Sequence, residues 1–337
     1  MNDKTKKLCD DLVSYSRSLK RKMIWEPDPN SMAILSGFLC LSQGAEADVD
    51  KYVACKKLLK RKVNIFSEFR GISEAIVITK MMIAKDPEEY LDGAMAVYRK
   101  LREIHKVFTS SYMVLTALTL YEAGGIERAD ENIEKLESLY KKANKQHPLL
   151  VGSEDRPFFA ILVTSGISED KILEEMEECY KANKKVARLN KECVHSMAQL
   201  MCLSSKTTDV KAEVVKDYLD GLKSAKKRIN KDFGLPAAGA MTLLDLATEE
   251  LVSKTIEIDD YLKMQKGFKW YSVSPSIRRM YDQMIVLISE LDDHNSMRGA
   301  ILTSTISTVL IQQIITYVII MEIILISAMT RSHNNSN

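Results

Sequence analysis

Neither sign of charge dominates this sequence. Its 48 lysines and arginines face 46 aspartates and glutamates, a net charge of +2 in 337 residues. No global attraction to nucleic acid follows from that balance. Glycine is scarce, with 13 residues, and few stretches alternate apolar and polar side chains, so strands are not expected. The six cysteines (Cys9, Cys40, Cys55, Cys179, Cys193, Cys202) include no Cys-x-x-Cys pair, and several fall on apolar faces. Reduced, buried thiols of a cytoplasmic protein fit that scatter better than disulfides or zinc. The N-terminus, Met1-Asn-Asp-Lys-Thr-Lys-Lys, leads into a charged helix and not an apolar leader, so no signal peptide is expected. The chain has no Gly-x-Ser-x-Gly, P-loop, dinucleotide fingerprint or His-Glu-x-x-His. That lowers the odds of catalysis without excluding it, and it assigns no cofactor and no catalytic residue.

What the sequence does have is a recurring phrase. An apolar run from Tyr112 to Tyr121 breaks at Gly124-Gly125 and is followed by an amphipathic run. The second run starts acidic (Glu127, Asp130, Glu131) and ends basic (Lys141, Lys142, Lys145). The phrase predicts two antiparallel helices. Its basic ending recurs at Cys55-Lys56-Lys57, Tyr98-Arg99-Lys100, Tyr140-Lys141-Lys142, Tyr180-Lys181, Leu222-Lys223 and Met264-Gln265-Lys266. Those markers fall about every 40 residues, the period of helical-hairpin arrays. The helix before each hairpin turn is apolar almost all round, as in Ala75-Ile-Val-Ile78 and Phe158-Phe-Ala-Ile-Leu162. Such helices must be covered on several sides, and the amphipathic partners then form an outer layer. With 46% hydrophobic and 28% charged residues the composition is globular. The expected fold is all-α, with hairpin repeats arranged as an α-solenoid or an α/α toroid. An irregular helical domain with hairpins of similar length is the alternative. Residues 1–30 read as an N-terminal helix and loop, 31–290 as the hairpin domain, and 291–337 as an apolar helix with a polar tail.

Local signals place several boundaries. Leu8, Leu12, Tyr15 and Leu19 share one face of a helix over 3–24, and Pro27 and Pro29 break the chain after it. Asp86-Pro87-Glu88-Glu89 combines an N-cap, a first-turn proline and first-turn acids. Ser168 is the expected cap of the helix opening with Glu169 and Asp170. Ala237-Ala-Gly-Ala240 would let helices approach closely, and Ser274-Pro275-Ser276 starts a helix running through Tyr281 to Leu287.

The C-terminal stretch is different in kind, because no charge occurs from Gly299 to Met321. Its length allows a membrane span, a tail anchor through residues 301–326. The competing expectation is a helix buried against the fold. Thr305, Thr308, Gln312 and Thr316 lie on one face, and Gln312 and Gln313 near mid-span are costly in lipid unless they pair.

The chemistry-bearing patterns are weak. Glu192-Cys-Val-His195 has the Glu-x-x-His spacing of helical di-iron sites, but such sites need a second copy and none occurs. Asp292-Asp293-His294 reads as a solvated turn. A ring of hairpins could gather carboxylates such as Asp245 with Glu249 or Glu250 in a central cavity, and a solid apolar centre would argue against that. The most suggestive feature is cationic: Lys57, Lys60, Lys100, Arg102, Lys141, Lys142, Lys184, Lys185, Lys226 and Lys227 all lie near the ends of second helices. Stacked hairpins would align them along one edge able to attract an anionic partner. Complementarity to the helix dipole explains the same placement by stability alone. Aromatic residues are not interleaved with these bases, which argues against single-stranded nucleic acid.

With its repeated hairpins, Ser274-Pro275-Ser276-Ile-Arg278 and the Gln312-Gln313 apolar tail, the chain resembles an uncharacterised family of cytosolic proteins from Gram-positive bacteria, a domain-of-unknown-function family of about this length. Its members end in small apolar residues and serines, whereas this tail is rich in isoleucine. The resemblance implies no activity and no site residue. The functional expectation is a non-enzymatic, cytoplasmic interaction or scaffold module that binds a protein. The alternatives are a tail-anchored protein and an enzyme on an α/α toroid.

Overall fold

A computed structural model describes residues 1–23, 28–71, 73–105, 110–187, 190–231 and 234–290. The segment 291–337, with its expected apolar helix and Asp292-Asp293-His294, lies outside the described residues. Among the described residues the fold is all-α, and no helix is long and apolar enough to cross a membrane.

Fourteen helices follow one another among the described residues: α1 (Asp3–Lys20), α2 (Pro29–Ser42), α3 (Val49–Lys62), α4 (Glu74–Ile83), α5 (Pro87–Ile104), α6 (Ser111–Gly124), α7 (Ala129–Gln146), α8 (Arg156–Thr164), α9 (Glu169–Asn183), α10 (Lys191–Met201), α11 (Thr208–Ser224), α12 (Leu235–Ala240), α13 (Thr248–Leu262) and α14 (Pro275–Ser289). Their starts follow the capping chemistry of the sequence. Asp86 accepts the backbone N–H groups of Glu88 and Glu89 at 2.8 and 3.0 Å, and Pro87 needs no donor partner. Ser274 caps α14 through the Ile277 N–H at 3.3 Å. Ser168 sits at the cap position of α9, but its side chain makes no capping hydrogen bond. The apolar stretch after Gly239 leaves the α-helix early, since α12 ends at Ala240 and passes into a 3-10 turn over Met241–Leu243.

The even-numbered helices are buried on most sides, and the odd-numbered helices from α3 onward bury only one stripe. Sequence explains the division, because only the odd set carries charge on one face. Inner helices touch inner helices: α2 packs on α4, α6 on α8, α10 on both α8 and α12, and α12 on α14. Residues from all seven inner helices, among them Phe38, Ile78, Leu115, Phe158, Leu200, Ala240 and Tyr281, belong to one continuous apolar cluster. The centre is therefore filled with hydrocarbon.

The last described helix returns to the first. α14 packs on α1 and α2 as well as α12 and α13, and twelve of its fifteen residues are buried, which requires neighbours on every side. Phe38 of α2 and Tyr281 of α14 bring their rings to 5.1 Å. On the outside, Tyr261 of α13 donates to Asp10 of α1, and the Met1 amino group pairs with Glu257. α1 thus places Cys9, Leu12 and Leu19 in the same apolar cluster as residues of α2, α4 and α14.

Two ends of the molecule are distinct. Connectors leaving inner helices run to seven residues at most (43–48, 84–86, 125–128, 165–168, 202–207, 241–247), and those leaving outer helices run up to twelve (63–73, 105–110, 147–155, 184–190, 225–234, 263–274). Each kind keeps its own company. Lys80 near the end of α4, Tyr90 near the start of α5 and Glu122 near the end of α6 meet at 2.7–2.9 Å. Ser204 donates to the Thr242 carbonyl at 2.8 Å, joining two short connectors. At the long-connector end, Asn30 donates to the Gly267 carbonyl at 3.0 Å and Arg279 to the Arg228 carbonyl at 2.7 Å.

Close approach fixes one glycine. A Cβ on Gly239 of α12 would stand 2.8 Å from the Met197 carbonyl oxygen of α10. Backbone cannot yield as a side-chain tip can, so Gly239→Ala is expected to destabilise by about 1–3 kcal/mol. Chemical denaturation of the two proteins side by side measures it.

Candidate functional site

The long-connector end gathers what sites are made of. Of the ten most exposed large hydrophobic side chains among the described residues, seven lie there: Ile65, Phe66, Ile104, Leu149, Met264, Trp270 and Tyr271. Phe66 is 93% exposed, Leu149 91% and Trp270 76%, while Ile126 and Val210 at the other end are exposed by less than half.

A cleft of about 660 Å³ opens at this end between the connector after α7 and the start of α10. Its walls include His147, Leu149, Tyr180, Glu192 and Cys193. His147 is held by Glu177 of the next outer helix through its Nε2. The rings of His147, Tyr180 and His195 form a T-shaped triangle with centroids 5.3–5.8 Å apart. His195 is thus one ring behind the wall, fully buried. Gln199 donates from its Nε2 to His195 Nδ1 at 3.0 Å and to Asp155 Oδ1 at 2.7 Å. Asp155 also accepts the Gly152 N–H at 2.8 Å. Accepting at Nδ1 places the neutral ring's proton on Nε2, and that donor has no partner among the described residues; nor has Gln199 Oε1.

Burial decides the charge of each group. It pulls the His195 imidazole down to about 4, so the ring is neutral at physiological pH. It pushes the Asp155 carboxyl up to about 7, overcoming the two donors that favour the anion. Asp282 of α14, with no hydrogen-bond partner on either oxygen among the described residues, is raised well above the carboxylate range by burial and by the charge of Asp259. A neutral, enclosed histidine has no access to a substrate proton. The cleft offers polar and aromatic walls for binding.

The residues singled out in sequence are distributed as follows. Glu192 lines the cleft and His195 lies behind it, so the Glu-x-x-His pair does not converge on one point. Among the described residues no group of three His, Cys, Asp or Glu is placed to hold a metal. Asp245, Glu249 and Glu250 are exposed near a short connector, away from the centre. Asp245 lies 3.7 Å from Lys206 and Glu250 3.3 Å from Lys254. Of the cationic set, Lys100 pairs with Asp130 at 2.7 Å, Lys142 with Glu169 at 2.8 Å, and Lys227 with Asp259 and Asp260. Each of these partners is on the following outer helix. Lys57, Lys60, Lys141, Lys184, Lys185 and Lys226 are exposed, and Arg102 is half-buried.

Sequence reasoning did not single out His147, Tyr180, Asp155 or Gln199. One signal was available. His105 and His147 each follow an outer helix directly, and they bind Glu137 and Glu177 respectively, partners 40 positions apart.

An all-helical protein with an apolar centre, one loop-rich end and a cleft backed by a buried polar network is the class these features define. The chain belongs to the family described as "Protein of unknown function (DUF4003)", whose model matches residues 15–322. It is similar to the "Uncharacterized protein YeaA" of Bacillus subtilis (strain 168), 21% identical over 276 residues and spanning 80% of each chain. No solved structure matches.

The buried pair sets two pH windows. His195 has a folded value below its unfolded one, so its contribution to stability is complete above about 6.5 and lost as pH falls through 4. Asp155 has a folded value above its unfolded one, so its contribution is complete below about 4 and lost as pH rises through 7. The losses are up to about 3 kcal/mol for His195 and about 4 kcal/mol for Asp155. The two windows do not overlap and their opposite slopes largely cancel, so unfolding free energy measured from pH 3.5 to 8.5 is expected to stay nearly level in the wild type, and Asp155→Asn is expected to uncover a rise in stability as pH increases from about 4 to 6.5.

Proposed function

We propose that this protein is a non-enzymatic binding platform, a set of helical hairpins of about 40 residues closed on itself as an α/α ring with its long connectors as the docking end. The observation that carries this reading is the concentration of exposed apolar side chains there. Isolated exposed hydrophobics are ordinary, but a cluster on connectors held by a buried framework is the usual form of a protein-interaction surface. Closure of the ring is supported by α14 packing on α1 and α2. Repetition is supported by the recurrent ion pairs, since Lys62–Asp92, Lys100–Asp130 and Lys142–Glu169 each join the end of one outer helix to the start of the next. The filled centre speaks against the cavity of a toroidal enzyme. The partner is a protein, met in the cytoplasm, and the exposed lysines of the same end give it an electrostatic approach.

The test compares two variants as bait. Phe66→Ser with Leu149→Ser and Trp270→Ser strips the docking end, and Ile126→Ser with Val210→Ser strips the other. A partner captured by the wild type is expected to be lost with the first variant and kept by the second. Retention of every captured protein by the first variant would overturn the proposal.

A second reading is favoured by the uncharged stretch from Gly299 to Met321, which would hold the platform at a membrane. Fractionation of the full chain and of a chain ending at residue 298 separates the two. A membrane pellet that resists carbonate and becomes soluble on truncation supports the anchor. A soluble full chain that aggregates on truncation places the segment in the fold.

A further inference from the structure

A second cleft, of about 540 Å³, lies where the ring closes, between the end of α1, the start of α2 and the connector after α13. Four cations line it: Arg17, Lys20, Arg21 and Lys266. None of the described residues lining it is acidic. We propose that this cleft binds a small phosphorylated molecule of nucleotide size.

Helix-dipole complementarity would account for Arg17, Lys20 and Arg21, which sit at the C-terminal end of α1. It does not account for Lys266, which comes from the connector after α13 and lines the same cleft. Nor does it account for the missing counter-charges. Lys62, Lys100, Lys142 and Lys227, in comparable positions on other outer helices, are neutralised by acids of the next outer helix. Arg17, Arg21 and Lys266 have no carboxylate within ion-pair distance among the described residues, although acids equal bases over the chain to within two. Concentrating like charge in a concave site is unfavourable unless an anion completes it.

The cleft is also built, not merely charged. Asn30 accepts from Lys20 Nζ at 3.1 Å and donates to the Gly267 carbonyl at 3.0 Å, tying α1, α2 and the far connector together. Gly267 takes a φ of +98°, a conformation that L side chains rarely adopt, to bring that carbonyl round. Tyr271 gives one wall an aromatic surface. A volume of this size fits a metabolite with a ring as well as a phosphate.

Titration calorimetry with ATP, with pyrophosphate and with inorganic phosphate tests the proposal on the full chain. ATP is expected to bind more tightly than pyrophosphate and both more tightly than phosphate, with affinity falling as salt rises. Arg17→Gln and Arg21→Gln, both exposed, are each expected to weaken ATP roughly tenfold with the melting temperature unchanged. Lys22→Gln, an exposed neighbour outside the cleft, is expected to leave it unchanged. Absence of heat for all three anions at millimolar concentration would overturn the proposal, as would equal weakening by Lys22→Gln. ATP bound no better than pyrophosphate would remove the ring-binding part. Neither result bears on partner capture by the apolar connectors.

Discussion

Everything in this molecule depends on the first and last described helices finding each other. α14 is buried on nearly all sides, and it can be so only if α1 and α2 cover the flank that α12 and α13 leave open. Its polar residues show how costly that position is. Arg278 is enclosed, and it is satisfied by Asp259 at 2.7 Å and by the Phe268 carbonyl at 3.3 Å. Asp259 in turn is shared with Lys227. Removing Asp259 would strand the buried guanidinium of Arg278. Asp282 escapes that constraint by staying neutral.

The outer layer is organised by a different interaction. Where α3, α5 and α7 meet the next outer helix, a basic end lies against acids about 30 residues further on, whereas between α9 and α11 the polarity is reversed, with Lys211 of α11 on Glu175 of α9. Histidines take the same role at two steps, His105 on Glu137 and His147 on Glu177. Exposed pairs of this kind contribute little singly. Their value is in register, because a slip by one turn would put cation against cation. They also explain why a row of bases that looks like one continuous edge is divided into neutralised members and free ones.

Much of the framework was legible in the sequence because it is local. Caps such as Asp86 and Ser274, the break at Gly124-Gly125 and the contrast between all-round and one-face apolar helices are written within a few residues of where they act. The inner and outer layers follow from that contrast. What was not legible is what closure brings together. Arg21 and Lys266, or Asp10 and Tyr261, are unremarkable apart, and no periodicity links them. His195 shows the converse limit. Its spacing from Glu192 suggested ligation, but burial behind His147 and Tyr180 fixes its chemistry, and that depends on residues 15 and 48 positions away. Ser168 stands where a cap should be and does not act as one, since a side-chain rotamer is not set by neighbours in sequence alone.

The closure has a consequence for connectivity. Met1 is tied to Glu257 and Glu290 to Lys254, two positions one turn apart on α13. The beginning and the end of the described fold therefore lie side by side, and the seam between them is a matter of covalent bookkeeping. A circularly permuted chain, joined there by a short linker and opened at the connector 125–128 or 165–168, would keep every helix against its present neighbours. The order of the helices along the chain is then one of several that could give the same packing.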